Sequence, residues 1–162
     1  MRSIVGREPL SERASEVEGY SWKVSDRADV PWSQLRALAR EATRHSYAPY
    51  SNVLVGAAAL TTEGTFVVGS NVENASYGLT LCAECSLVSD LVRQGGGRLR
   101  ALAVVAGDGE PLAPCGRCRQ VLYEHAGAAL EIDQGEGHAV LTLGALLPHA
   151  FGPDDLPTRS TL

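Results

Sequence analysis

Apolar positions first recur at helical spacing in "DVPWSQLRALAREATRHS", where Trp32, Leu35, Leu38, Ala39 and Ala42 fall on one side of a 3.6-residue period. Pro31 suits the first position of that helix, where a missing N–H costs nothing. "SYAPYSN" then breaks the period, because Pro49 disfavours helix at the residue before it. Two strand-like runs follow, near 54–60 and 66–71, joined by "TTEG" with Gly64 as the turn residue. A second helical stripe starts near Cys82, carries Leu87, Val88, Leu91 and Val92 on one side, and stops at Gly95, Gly96 and Gly97. "LRALAVVA" reads as a buried strand, "DGEPLAPCG" as a loop, and a third helix spans about 116–125. Weaker strands at 129–133 and 139–143 and a short helix at Leu146 complete the pattern. Strands alternating with helices predict a three-layer α/β sandwich, with a mixed central sheet of about five strands flanked by helices.

Composition narrows the setting. The chain has 162 residues, 44% hydrophobic and 20% charged, which suits one domain with its own core. Residues 1–28 are polar and aperiodic and read as an extension, with Tyr20 and Trp22 touching the body; 29–157 form the folded domain and 158–162 a tail. No apolar run approaches the roughly 18 residues of a membrane span, and the N-terminus has no apolar core of a signal peptide. The expected location is the cytoplasm, with no membrane partner. There, four cysteines are metal ligands or redox groups rather than disulfides. The net charge of -5 is dispersed and Lys23 is the only lysine. A nucleic-acid partner calls for a basic stripe, and none is visible; a small neutral substrate fits better.

The cysteines form two C-x-x-C pairs, "CAEC" at 82–85 and "CGRC" at 115–118, each at the start of a predicted helix. Helix N-termini carry partial positive charge and free N–H groups, which stabilise the thiolates that bind zinc. Three readings compete: a closed structural site using Cys82, Cys85, Cys115 and Cys118; redox chemistry at one pair; and a catalytic zinc with three cysteine ligands and an open position. Structural knuckles usually sit on tight turns rather than helix starts, and a redox motif is expected once. Only the third reading gives Glu84 a task, as acid/base partner of the open site. Cys-Ala-Glu followed by Pro-Cys-x-x-Cys, here Cys82-Ala83-Glu84 and Pro114-Cys115-Gly116-Arg117-Cys118, is the pattern of zinc deaminases.

With "SYAPYSN…VGAAAL", "NVENASYGLTLCAE", "PCGRCRQVL" and "LLPHAFGPDDL" in order, about residues 31–157 resemble the cytidine deaminase family, the short enzymes acting on free nucleosides. The resemblance implies one Zn²⁺ per subunit held by Cys82, Cys115 and Cys118, with hydroxide as fourth ligand. It implies that Glu84 shuttles protons while cytidine or deoxycytidine becomes uridine or deoxyuridine plus ammonia. It further implies that the Ala83 backbone holds the base and that Asn71 and Glu73 grip the ribose. Tyr77 and Phe151 resemble residues that reach a neighbouring subunit's pocket, implying a homotetramer with shared sites.

Two positions depart from the family pattern. Val53 stands where phenylalanine commonly packs on the pyrimidine, so base selectivity is expected to be weaker or altered, and a modified aminopyrimidine nucleoside is the alternative substrate. Cys85 stands where many relatives carry an arginine that hydrogen-bonds the zinc thiolates. Helix N–H groups with Arg117 or Arg119 are expected to supply that compensation. The rival from another class is a non-catalytic zinc module with four cysteine ligands.

Overall fold

The computed structural model describes residues 29–156; the extension at 1–28 and the tail at 158–162 lie outside them. Helix α1 is Trp32–Thr43, followed by strands β1, Val55–Thr61, and β2, Phe66–Ser70. Helix α2, Ala83–Arg93, leads to β3, Leu99–Ala106, and α3, Gly116–Ala126. Two short strands, β4 at Glu131–Ile132 and β5 at Leu141–Thr142, precede the single turn α4, Leu143–Leu146. The sheet order is β2-β1-β3-β4-β5. Only β3 and β4 are parallel; the other neighbours run antiparallel. The mixed five-stranded sandwich expected from the pattern is what the chain forms.

Strand alternation sorts the core into two layers. Ala57, Ala59, Val67, Leu102 and Val104 face α2 and α3 and meet Leu87, Val88, Leu91 and Leu122. Ala58, Leu60, Ala101, Ala103 and Val105 face the opposite way and are covered by Leu35 and Ala39 of α1. The helices needed correction at two positions, and β4 and β5 are shorter than the expected 129–133 and 139–143. Pro31 is the N-cap of α1, one position before its first helical residue. Val92 is 60% exposed rather than part of the α2 stripe. At 100° per residue it lies about 90° from the centre of the stripe formed by Leu87, Val88 and Leu91, too far round to reach the sheet.

Small residues in the strands let the helices come close. A Cβ on Gly56 would sit 1.9 Å from the carbonyl oxygen of Ala39 in α1, and one on Gly69 would sit 2.3 Å from the Ala83 oxygen and the Leu87 nitrogen of α2. Gly56 pairs with Ser70 and Gly69 with Ala57, so both close approaches fall at one level of the sheet, from opposite faces. That level is beside the end where β2 leaves the sheet toward Asn71 and α2 begins.

A second tie fixes α1 to the far side of the sheet. Asp133, just after β4, is 3% exposed, and both its oxygens accept from Arg36, from Nε and Nη2, each at 2.7 Å. Hydrogen bonding to Asp133 raises the Arg36 pKa. Removing one partner of a buried pair strands the other charge, a loss of about 3–5 kcal/mol, whereas removing both is often near neutral.

Two outcomes follow from this packing. Arg36→Ala lowers stability in urea titration by about 3 kcal/mol, and Arg36→Leu with Asp133→Leu restores most of it; equal losses in both proteins would refute the pairing account. Gly69→Ala forces backbone apart rather than a flexible side chain. It is expected to cost at least about 1–3 kcal/mol and to lower zinc retention, read by chemical denaturation and metal analysis.

Candidate active site

The residues between β2 and α2 fold back on themselves. Val72 donates its N–H to the Leu81 carbonyl and accepts from the Leu81 N–H, both at 2.9 Å, closing a loop that contains a 3-10 turn at Tyr77–Leu79. The closure delivers Cys82 to the N-cap of α2, beside the segment that carries Asn71 and Glu73. The loop after β3 delivers Cys115 to the N-cap of α3 in nearly the same extended conformation, ψ 167° against 158° at Cys82. Neither thiol caps its own helix. Both remain available, and the free N–H groups of two helix starts face the same place.

Three of the four cysteines meet there. The sulfurs of Cys82, Cys115 and Cys118 all lie within 4.8 Å of one another. Cys82 to Cys115 measures 3.9 Å and Cys115 to Cys118 3.5 Å. Zinc–sulfur bonds of about 2.3 Å at tetrahedral angles place sulfurs about 3.8 Å apart, so this triad fits zinc. All four cysteines are free thiols. Cys85 stands outside the triad, its sulfur 3.5 Å from Nη2 of Arg117, which does not favour a closed four-cysteine site.

The electrostatics favour a bound cation. Burial pushes the Cys82 thiol up, helped by the neighbouring Cys115. Burial and then the Glu84 charge push Cys118 up. At Cys115 burial acts the same way, but hydrogen bonds led by the Cys118 N–H outweigh it and its pKa falls. Glu84, on the first turn of α2, is 4% exposed. Burial raises its carboxyl above the usual range, opposed by its own N–H, the Cys118 thiol and the charge of Arg117. Ala83 is fully buried, and its amide lies in the first turn, where no intrahelical acceptor exists.

Asn71 and Glu73 share one side of their extended segment and both hold the loop before β1. Asn71 Nδ2 donates to the Val53 carbonyl at 2.8 Å, and its Oδ1 accepts from the Val55 N–H at 2.9 Å. Glu73 accepts from the N–H groups of Tyr50 and Ser51 at 2.9 and 3.2 Å, and from the Ser51 hydroxyl. The Ser51 hydroxyl, then the Tyr50 amide, hold the Glu73 carboxyl below its usual range. Ser51 is the residue that sequence reasoning missed: it lies inside "YSN", and only its contact with a residue 22 positions away shows its part. Asn52 beside it has φ 59°, the only non-glycine in the left-handed region among the described residues.

Val53 is 52% exposed on this loop. Tyr77, 75% exposed, meets the Tyr50 ring edge-on at 6.0 Å between centroids. Phe151 is 59% exposed, and its carbonyl accepts from Gln120 of α3 at 2.7 Å. A separate depression of about 340 Å³ at the opposite end of the sheet, beside Thr61, Gln94 and Gly96, contains none of these groups.

A buried carboxyl beside three clustered thiols can move protons at a bound metal, and known proteins share the arrangement's frame. The family described as "Cytidine and deoxycytidylate deaminase zinc-binding region" matches residues 32–130. The cytidine deaminase of Mycobacterium tuberculosis strain H37Rv is 59% identical over 131 residues, covering 80% of this chain and 96% of that protein. The cytidine deaminase of Halalkalibacterium halodurans is 40% identical over 119 residues, covering 72% and 90%. Among crystal structures, the cytidine deaminase of M. tuberculosis superposes with TM-score 0.73 at 57% identity, covering 76% of this chain and 99% of that one. That of Mycobacterium leprae gives 0.71 at 54%, covering 75% and 100%. On sequence, fold and metal-binding region together, this chain belongs to the cytidine deaminase family.

Proposed function

We infer that this protein is a zinc-dependent cytidine deaminase, converting cytidine and deoxycytidine to uridine and deoxyuridine with release of ammonia. The observation that carries the reading is the Cys82, Cys115 and Cys118 triad at two helix N-termini with buried Glu84 beside it, in a chain of this family. Zinc held by the three cysteines, one ion per subunit, would lower the pKa of a water and so supply the nucleophile. Glu84 would take a proton from the attacking water and give it to N3 of the pyrimidine. It would then carry the second water proton, left on the C4 oxygen, to the departing amine. In balance, an oxygen joins C4, the C4–N bond breaks and ammonia leaves. A carboxyl whose pKa burial has raised is suited to both halves of that exchange.

The remaining assignments extend this reading. The Ala83 amide holds the base, Val53 forms its apolar wall, and Asn71 and Glu73 set the ribose side. Because both side chains are also engaged with the 50–55 loop, they shape the pocket as well as offer polar groups to the sugar. Tyr77 and Phe151 serve a neighbouring subunit's site in a homotetramer, supported by the exposed Tyr47, Val72, Leu79 and Leu81 near the same edge. Residues 29–157 form the catalytic domain, acting in pyrimidine salvage in the cytoplasm on free nucleosides. No helix among the described residues is long and apolar enough to cross a membrane. The dispersed negative charge argues against a nucleic-acid substrate.

Three variants test the reading. Ammonia release from cytidine by the zinc-loaded protein is expected to fall at least about 100-fold in Glu84→Gln, with zinc retained; undiminished release would sink the assignment. Cys115→Ala is expected to lose zinc in metal analysis and Cys85→Ala to keep it, and the reverse result would restore the four-cysteine module. Val53→Phe is expected to raise kcat/KM for cytidine by about 2- to 10-fold, the worth of an aromatic contact; no gain would show that the valine wall is neutral.

A further inference from the structure

Arg117 occupies the second position of α3, between two of the clustered cysteines, yet its side chain does not run along its own helix. Its Nη2 donates to the Thr80 carbonyl at 2.9 Å and meets the Cys85 sulfur at 3.5 Å. Both partners belong to the other cysteine-bearing segment, 37 and 32 residues earlier. Thr80 stands two positions before Cys82, and Cys85 lies in the first turn of α2. One guanidinium therefore bridges the two chain segments whose helix starts present the three sulfurs.

Arg119, the other arginine of this motif, has a different task. Its Nε donates to the Pro114 carbonyl at 2.8 Å and its Nη1 to the Leu146 carbonyl at 3.0 Å, fixing α3 to the loop before it and to α4. It offers nothing to a sulfur. Arg117 directly precedes Cys118 in the chain, and its guanidinium meets Cys85 three residues from Cys82, so its charge is anchored between the two cysteine-bearing segments.

Charge arithmetic gives that placement a consequence. Three thiolates and one Zn²⁺ sum to about −1, and an ionised Glu84 adds a further negative charge. A permanent cation, which arginine supplies at any working pH, stabilises such a cluster. Arg117 bonds no sulfur of the triad and acts through its charge and the Thr80–Cys85 segment, so its effect is expected at the low end of the about 10- to 100-fold that partners of metal ligands give.

Resting on the zinc reading above, we propose that Arg117 is a positioning residue of the metal centre. It ties the start of α3 to the Thr80–Cys85 segment and places its charge against the three-cysteine cluster. Cys85 is the sulfur contact of that clamp rather than a metal ligand. The guanidinium reaches neither base nor ribose holders, so its loss acts on metal retention and turnover rather than on substrate capture.

The test is competition for zinc between the protein and a chromophoric chelator, on the native chain, Arg117→Gln and Arg117→Lys. Arg117→Gln is expected to weaken zinc affinity about tenfold, with little change in the melting temperature of the zinc-free protein. Arg117→Lys, which keeps the charge without the planar fork, is expected to fall between the two, about threefold below native. With zinc saturating, kcat for cytidine falls in the same order and KM stays. Native zinc affinity in Arg117→Gln overturns the proposal, as does a loss matched by an equal loss of stability in the zinc-free protein. If Arg117→Gln does not fold, native affinity in Arg117→Lys overturns it. A native chain that binds no zinc, or whose Cys115→Ala variant binds it as well, overturns the zinc reading and the proposal together. Zinc binding that needs Cys115 but ignores Arg117 overturns the proposal alone.

Discussion

The backbone of α2 lies directly on β2 at Gly69, with no side chain between helix and sheet. The contact falls at Ala83 and Leu87, which bracket Glu84, so the height of the helix start above the sheet is set beside the cysteine triad. Cys82 is the cap of that same helix, and its place relative to Cys115 depends on α2 being seated at that depth. The matching approach of α1 at Gly56, from the other face and in the next strand, leaves this level of the sheet little room to bend. Close packing transmits displacement rather than absorbing it. A site that asks three sulfurs to stand about one tetrahedral edge apart therefore gains from being built on this spot.

Around that seat the polar groups are engaged with one another. Glu73 gathers donors from Tyr50 and Ser51, and Asn71 stands in for a missing ladder partner between Val53 and Val55. Both act across the gap between the end of β2 and the start of β1. The same loop presents Val53, whose N–H donates to Ser51 and whose carbonyl accepts from Asn71, so both polar anchors set its place. Glu73 keeps its charge through hydrogen bonds, whereas burial opposes the charge of Glu84. The two carboxyls are thereby given opposite protonation preferences.

Most of the fold was legible along the chain because its elements have local causes. Glycines end α2, a glycine turn joins β1 to β2, and β3 matches its apolar run over Leu99–Ala106. The errors came at margins. Val92 sits at the side of a stripe where periodicity cannot separate half-turned from buried, and Pro31 caps where it was expected to begin the helix. The short strands β4 and β5 are narrower than their apolar runs, since pairing with neighbours and not propensity decides where a ladder ends.

By itself the sequence determined the element types, the two cysteine pairs at helix starts and the glutamate held between them, all of which follow from residue spacing of a few positions. The tertiary structure decided which cysteines converge. Cys82, at the cap, points to the meeting of two helix starts, while Cys85, three residues on, is turned to Arg117. It also decided between two arginines only two positions apart, one drawn to backbone carbonyls and the other to the opposite segment. Ser51 became visible only when its loop closed on Glu73. These choices join residues 20 to 40 positions apart, and no local period encodes the direction in which a side chain meets a partner that distant, because the packing of helices on the sheet sets it.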